Sequence, residues 1–331
     1  MKHYSRRKFM LATGYAATLG AALNPFSAQS QSMPESVRLI CGFGVGGAID
    51  IVARRLSERM TGSYAKSVVV DNRVGAGGRI AIETVKSAAP DGNTMLVTPG
   101  SMLYIYPHIY KQLRYDPLVD LTPVSQIALV PMAVGVGPSV PESVKSLKDF
   151  ISWAKANPSK AYFGSGGAGS MPHFVGVMME QASDTRLTHV PYKGTQAAIL
   201  DMMGGQIAAA TGPEADFMAH LKSGRARLLA TSGTQRSKFN PDVATFAEQG
   251  MPDLVVQEWF AVFLPPKASS QIIQRAHDAI TAAVHDKTTA ESLAVLGFTG
   301  QTSTPEELTA RLKTDLGTWS PIVKSTGFTA D

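Results

Sequence analysis

Residues 37–56, VRLICGFGVGGAIDIVARRL, decide how the chain folds. Val37 to Cys41 is an apolar run of strand length. Gly42 to Gly47 is a glycine-rich turn. From Ala48 to Met60 the apolar residues Ile49, Val52, Ala53, Leu56 and Met60 fall on one helical face, and Arg54, Arg55, Glu58 and Arg59 fall largely elsewhere. A strand passing through glycines into an amphipathic helix is the opening of a parallel α/β layout. The alternation continues with strands predicted at 67–70 and 94–98 and a helix at 79–88. Later come helices at 147–156, 172–181, 197–203, 271–284 and 305–313, and strands at 161–163, 187–190 and 226–231. The apolar stretch 121–136, interrupted by Pro123 and Pro131, reads as a long strand passing between two lobes, and 255–264 reads as its return. Two crossings predict a hinge with a central ligand cleft. The expected lobes are 33–130 plus 256–331, and 131–255.

The start of the chain has a different character. Ser5-Arg6-Arg7-Lys8-Phe9-Met10 precedes an apolar stretch to Phe26, broken by Gly14 and Gly20, and then Ala28-Gln29-Ser30. Basic, apolar and small segments in that order predict a cleaved export signal over residues 1–30, too short and too rich in Ala and Gly for a membrane span. The paired arginines point to the twin-arginine route and a periplasmic destination. The whole chain carries 31 Lys+Arg and 26 Asp+Glu. Lys2, Arg6, Arg7 and Lys8 lie in the signal, which holds no acid, so 27 basic and 26 acidic side chains remain. A body that close to neutral gives no reason to expect nucleic acid or an anionic membrane as partner. Cys41 is the single cysteine, which excludes an intrachain disulfide and a cysteine metal cluster.

Gly42, Gly44 and Gly47 spell G-x-G-x-x-G between a strand and a helix, and the second strand runs into Asp71. That is the context of a dinucleotide-binding loop. The physics is less specific than the pattern: glycines let backbone N–H groups approach any anion, and a helix N-terminus favours a carboxylate as well as a pyrophosphate. On the residues alone, an exported nucleotide-dependent oxidoreductase using Gly42, Gly44 and Gly47 stays open beside a carboxylate binder.

Residues 43–54, FGVGGAIDIVAR, resemble the F-x-x-G-G-x-x-D-x-x-A-R signature of the Bug family, the solute receptors of tripartite tricarboxylate transporters. Further blocks agree in order: residues 70–78, VDNRVGAGG; Ala88-Ala89-Pro90-Asp91-Gly92; Tyr115-Asp116-Pro117; and His189-Val190-Pro191-Tyr192-Lys193-Gly194 ahead of Gly204-Gly205-Gln206. The similarity spans essentially the whole chain after the signal. It implies a two-lobed fold like the type II periplasmic binding proteins, a small carboxylate held between the lobes, and delivery to a cognate membrane permease. It implies no enzyme activity, catalytic residue, metal or cofactor, and a monomer suffices. A receptor reporting to a sensor kinase instead would need the same cleft.

Carried over by position, the resemblance implies that Gly44, Val45, Gly46 and Gly47 hold a ligand carboxylate, with Asp50 just inside the helix. The opposite lobe would contribute residues 164–170, with Ser165, Gly169 and Ser170 as ligand contacts, and Ser101 would face the same cleft edge. Three departures bear on specificity. Gly42 stands where the family usually has Pro, Ile49 where it has a small polar Thr, and Gly212 where it often has an acid near the ligand. The acidic contact is therefore expected to be missing or moved to Glu214, with Thr211 or Glu214 meeting the ligand's far end. His173 and His189 read as structural.

Overall fold

The computed structural model describes residues 33–254, 256–295 and 297–330. The export-signal reading of residues 1–30 lies outside the described residues. The strands are β1 (Ser36–Cys41), β2 (Ser67–Asn72), β3 (Thr94–Pro99), β4 (Thr122–Val136), β5 (Tyr162–Ser165), β6 (Thr188–Pro191), β7 (Ala209–Pro213), β8 (Arg227–Thr231), β9 (Gln257–Leu264) and β10 (Thr299–Gly300). They pair in the order β2-β1-β3-β9-β4-β7-β5-β6, with β8 and β10 also on β4. The outer groups, β2-β1-β3 and β7-β5-β6, are parallel within themselves. β9 runs antiparallel to β3 and β4.

β4 organises both halves. From Thr122 to Pro131 it pairs with β9, and from Met132 to Val136 it pairs with β7 and β8. The change of partner falls at Pro131, whose missing N–H cannot extend a ladder. One strand therefore belongs to two sheets.

The helices are α1 (Ala48–Met60), α2 (Arg79–Lys86), α3 (Ser101–Tyr104), α4 (Tyr106–Ile109), α5 (Leu147–Ala156), α6 (Met171–Ser183), α7 (Thr195–Met203), α8 (Glu214–Leu221), α9 (Ser270–His285), α10 (Lys287–Val295) and α11 (Pro305–Thr326). Among the described residues, none is long and apolar enough to cross a membrane. α1 buries Ile49, Val52, Ala53, Leu56 and Met60, the face expected from the sequence. Several elements differ from the sequence expectation. β7 was not expected, because Ala209 and Ala210 have weak strand preference; flanked by β4 and β5, the segment needs small residues more than β-branched ones. α8 was not expected either, because Pro213 precedes it in place of a capping side chain. α10 and the two-residue β10 were also not expected. α11 passes Lys313 and runs on to Thr326 through Pro321, because Trp319 and Val323, four residues apart, are both buried on one face.

An aromatic cluster joins these layers. Tyr104 of α3 lies 5.7 Å from Trp259 of β9 and 5.8 Å from Trp319 of α11, and Phe174 of α6 lies 5.8 Å from Trp319. Trp259 is fully buried and donates its indole N–H to Asp315 at 2.7 Å. Gly100 sits directly against it and donates its N–H to the Trp259 carbonyl at 2.8 Å. A Cβ on Gly100 would stand 2.2 Å from the indole. The fixed ring cannot yield, so Gly100→Ala should lower stability by about 1–3 kcal/mol, read as an earlier urea midpoint. An unchanged midpoint would show that the indole has room to move.

Candidate functional site

The loop between β1 and α1 is held from below. Gly46 takes φ +84°, a left-handed conformation that favours glycine, and its N–H donates to Asp50 Oδ2 at 2.9 Å. The same carboxylate accepts from Arg54 Nε at 2.9 Å and from Asn72 Nδ2 at 2.9 Å. Asn72 also donates to the Phe43 carbonyl at 2.9 Å, tying β2 to the loop. Burial works to raise the Asp50 pKa, but the hydrogen bonds from Arg54, Gly46 and Asn72 outweigh it and hold the carboxyl below its ordinary value. Asp50 is buried and braces the loop; its side chain is not part of the cavity wall.

The facing loop, residues 166–170 after β5, rests on buried Ser165 and His173 and half-buried His189. Ser165 Oγ lies 2.7 Å from His189 Nε2, and the His173 and His189 rings are 4.1 Å apart. Gly169 donates its N–H to His173 Nδ1 at 3.0 Å, and Ser170 donates its hydroxyl to the Gly167 carbonyl at 2.6 Å. Burial and the neighbouring His189 ring pull His173 down to about 3, and burial pulls His189 down to about 4. Both rings are therefore neutral supports for the loop, as expected from the sequence.

Between the two loops lies a cavity of about 120 Å³. Gly44, Val45, Gly47 and Ile49 form its first-loop side, and Gly166, Ser170 and Thr195 face them. Ser101, Tyr106 and Phe260 add a hydroxyl and aromatic wall. Two buried acids complete it: Asp216 of α8 and Glu258 of β9. Asp216 Oδ1 accepts the N–H of Ala48, the first residue of α1, at 2.9 Å. This bond joins the two halves of the sheet across the cleft. Glu258 Oε1 accepts from the N–H of Trp259 at 3.0 Å, the Tyr104 hydroxyl at 3.1 Å and the N–H of Ser101 at 3.2 Å. Burial pushes each acid up to about 7 against these donors.

Of the residues expected from the sequence, Gly44, Val45, Gly47, Ser101 and Ser170 line this cavity. The others sit behind it. Gly46 and Asp50 bond to each other, Ser165 lies under the second loop, and Gly169 is turned to His173. Thr211 is buried and donates to the Pro172 carbonyl at 2.7 Å. Glu214 accepts from Asn240 and does not face the cavity. The acid of α8 that borders the cavity is Asp216 and not Glu214. Positions two apart on a helix point to nearly opposite sides, so only one of Glu214 and Asp216 can face the cleft. At Gly212 a Cβ would stand 2.1 Å from Thr195 Cγ2, which leaves no room for an aspartate there. Sequence reasoning also missed Thr195, Gln196 and Glu258. The available signal was an acid inside the apolar run of β9, since buried unpaired acids are rare. Asp71, the acid of the dinucleotide pattern, is bound by Arg73 at 2.9 Å and does not line the cavity.

The depressed His173 pKa has a stability consequence. The unfolded chain takes up this proton below about pH 6.5 and the folded protein does not, so acidification destabilises the fold down to the folded value of about 3. His173→Asn keeps an acceptor for Gly169 and removes the titration. Relative to that variant, wild type should lose about 1.4 kcal/mol per pH unit across this window, measured by urea unfolding at several pH values. Parallel pH profiles would mean that the ring is protonated in the folded protein.

The family model of the tripartite tricarboxylate transporter family receptor matches residues 52–328. BugT of Bordetella pertussis is 32% identical over 314 residues, covering 95% of each chain. A solved periplasmic transporter superposes with a TM-score of 0.85 at 32% identity, covering 90% of this chain and 99% of the other. An R. palustris protein solved with adipate superposes with a TM-score of 0.84 at 27% identity, covering 89% and 98%. Matches of this extent carry both the two-lobed binding-protein fold and the family assignment. The chain belongs to the receptor family of the tripartite tricarboxylate transporters.

Proposed function

We propose that the protein is a non-catalytic periplasmic receptor that closes on a small carboxylate and presents it to a membrane permease. The observation that carries this reading is the cavity framed by two glycine loops, one from each half of the sheet, with β4 continuous between the halves. Gly44 and Gly47 offer bare backbone at the N-terminus of α1, and Lys193 offers an ammonium donor from the facing side. Adipate in the R. palustris relative supports a carboxylate as the ligand.

The proposed lobes are 33–130 plus 256–331, and 131–255. The hinge is proposed where β4 changes partners, between Pro131 and Met132. Ligand binding would stabilise the closed arrangement that the Asp216–Ala48 bond already bridges. Export by the twin-arginine route through residues 1–30 and action as a monomer belong to the same proposal. The Ser165–His189 pair supports a non-catalytic role, because Ser165 is fully buried and neither residue borders the cavity.

Thermal unfolding against a panel of carboxylates and nucleotides tests the reading. A carboxylate at a thousand times its dissociation constant should stabilise the protein by about 4 kcal/mol, with no response to nicotinamide or flavin nucleotides. Asp50→Ala releases Gly46 from its brace and should weaken that carboxylate at least ~10-fold, about 1.4 kcal/mol. Stabilisation by nucleotides alone would overturn the receptor reading.

A further inference from the structure

The cavity has an unusual charge balance for an anion site. Two of its lining residues, Asp216 and Glu258, are acids exposing 5% and 2% of their surface, while the one cation among the described lining residues is the exposed Lys193. The groups that bond these acids are donors: the Ala48 N–H with the Gln196 and Thr195 side chains for Asp216, and the Ser101 and Trp259 N–H groups with the Tyr104 hydroxyl for Glu258. The Ser101 side chain also bonds Glu258, and each donated hydrogen bond favours the ionised form against the burial that opposes it. The other charges nearby are already engaged. Arg54 is bound to Asp50 behind the first loop, and Arg311 lies beside Asp315 behind Trp259. His220 reaches Gln196 and not the Asp216 carboxylate.

We propose, resting on the receptor reading, that the preferred ligand is an ammonium carboxylate, whose protonated amine sits against Asp216 and Glu258 while its carboxylate docks on the first-loop backbone and Lys193. A plain dicarboxylate brings two negative charges to a pocket already lined by two buried acids. A ligand with an amine supplies the buried acids with the counter-charge that the protein itself does not place there. Asp216 also occupies the Ala48 N–H, so the carboxylate is left the Gly44 to Gly47 side of the loop. The elevated pKa of both acids accords with buried carboxylates awaiting a cation.

The test is calorimetry at pH 7 on the mature protein with matched pairs of one carbon skeleton: succinate and aspartate, glutarate and glutamate, adipate and 2-aminoadipate. In at least one pair the amino compound should bind at least ~10-fold tighter than its deaminated partner. Asp216→Asn and Glu258→Gln should each reduce that preference to under ~3-fold. Wild type supplies a second readout that does not depend on the variants folding. An ammonium group lowers the acids' pKa, so binding should release protons, seen as heat that varies with buffer ionisation enthalpy. A dicarboxylate that binds equally or more tightly and takes up protons would overturn the inference and leave the receptor reading intact. Binding by no member of any pair would overturn both.

Discussion

The structure depends on one strand serving two sheets. β4 gives its first ten residues to β9 and its last five to β7 and β8, so every element of one half is tied to the other through a continuous backbone. A ladder of backbone bonds runs on each side, and the change of partner falls at the proline, which has no N–H to extend the ladder. The cleft follows from that arrangement. β1 and β5 end on opposite sides of it, and each runs out into glycines that cannot fill the space between them.

Two different solutions to burying charge stand side by side at the cleft. Asp50 is buried but paired with Arg54 and capped by two further donors, and its pKa is lowered. Asp216 and Glu258 are buried with hydrogen bonds alone, and burial raises both to about 7. A hydrogen bond from a neutral donor recovers only part of the desolvation cost of an ion, whereas a guanidinium in contact recovers more. Asp50 therefore serves as scaffold, and the other two border the cavity with no cation in contact among the described residues. The histidine stack shows the same economy on the far loop, where neutral rings supply acceptors without adding a buried charge.

Much of this was legible in the chain. The strand-glycine-helix order of residues 37–56 placed the first loop, and the prolines at 123 and 131 marked the crossing strand. What depended on a single helix or strand was readable from spacing. What depended on the sheet order was not: Thr195, Asp216 and Glu258 come from separate parts of the sequence and meet because β7 and β9 flank β4. The choice between Glu214 and Asp216 turned on where α8 begins, and no capping residue marked that start. Ser165 and Thr211 are expected from the family resemblance, and in the structure the Ser165 hydroxyl lies against His189 Nε2 while the Thr211 hydroxyl donates to the Pro172 carbonyl.

The most direct test of the account is a crystal structure of the protein grown with the tightest-binding carboxylate of the panel. The account predicts the ligand between the two glycine loops, its carboxylate within hydrogen-bonding distance of the backbone at Gly44 to Gly47, and Ser170 and Thr195 on its other side. Density for the ligand elsewhere, such as the groove beside residues 233–239, with the loop cavity filled only by water, would contradict it.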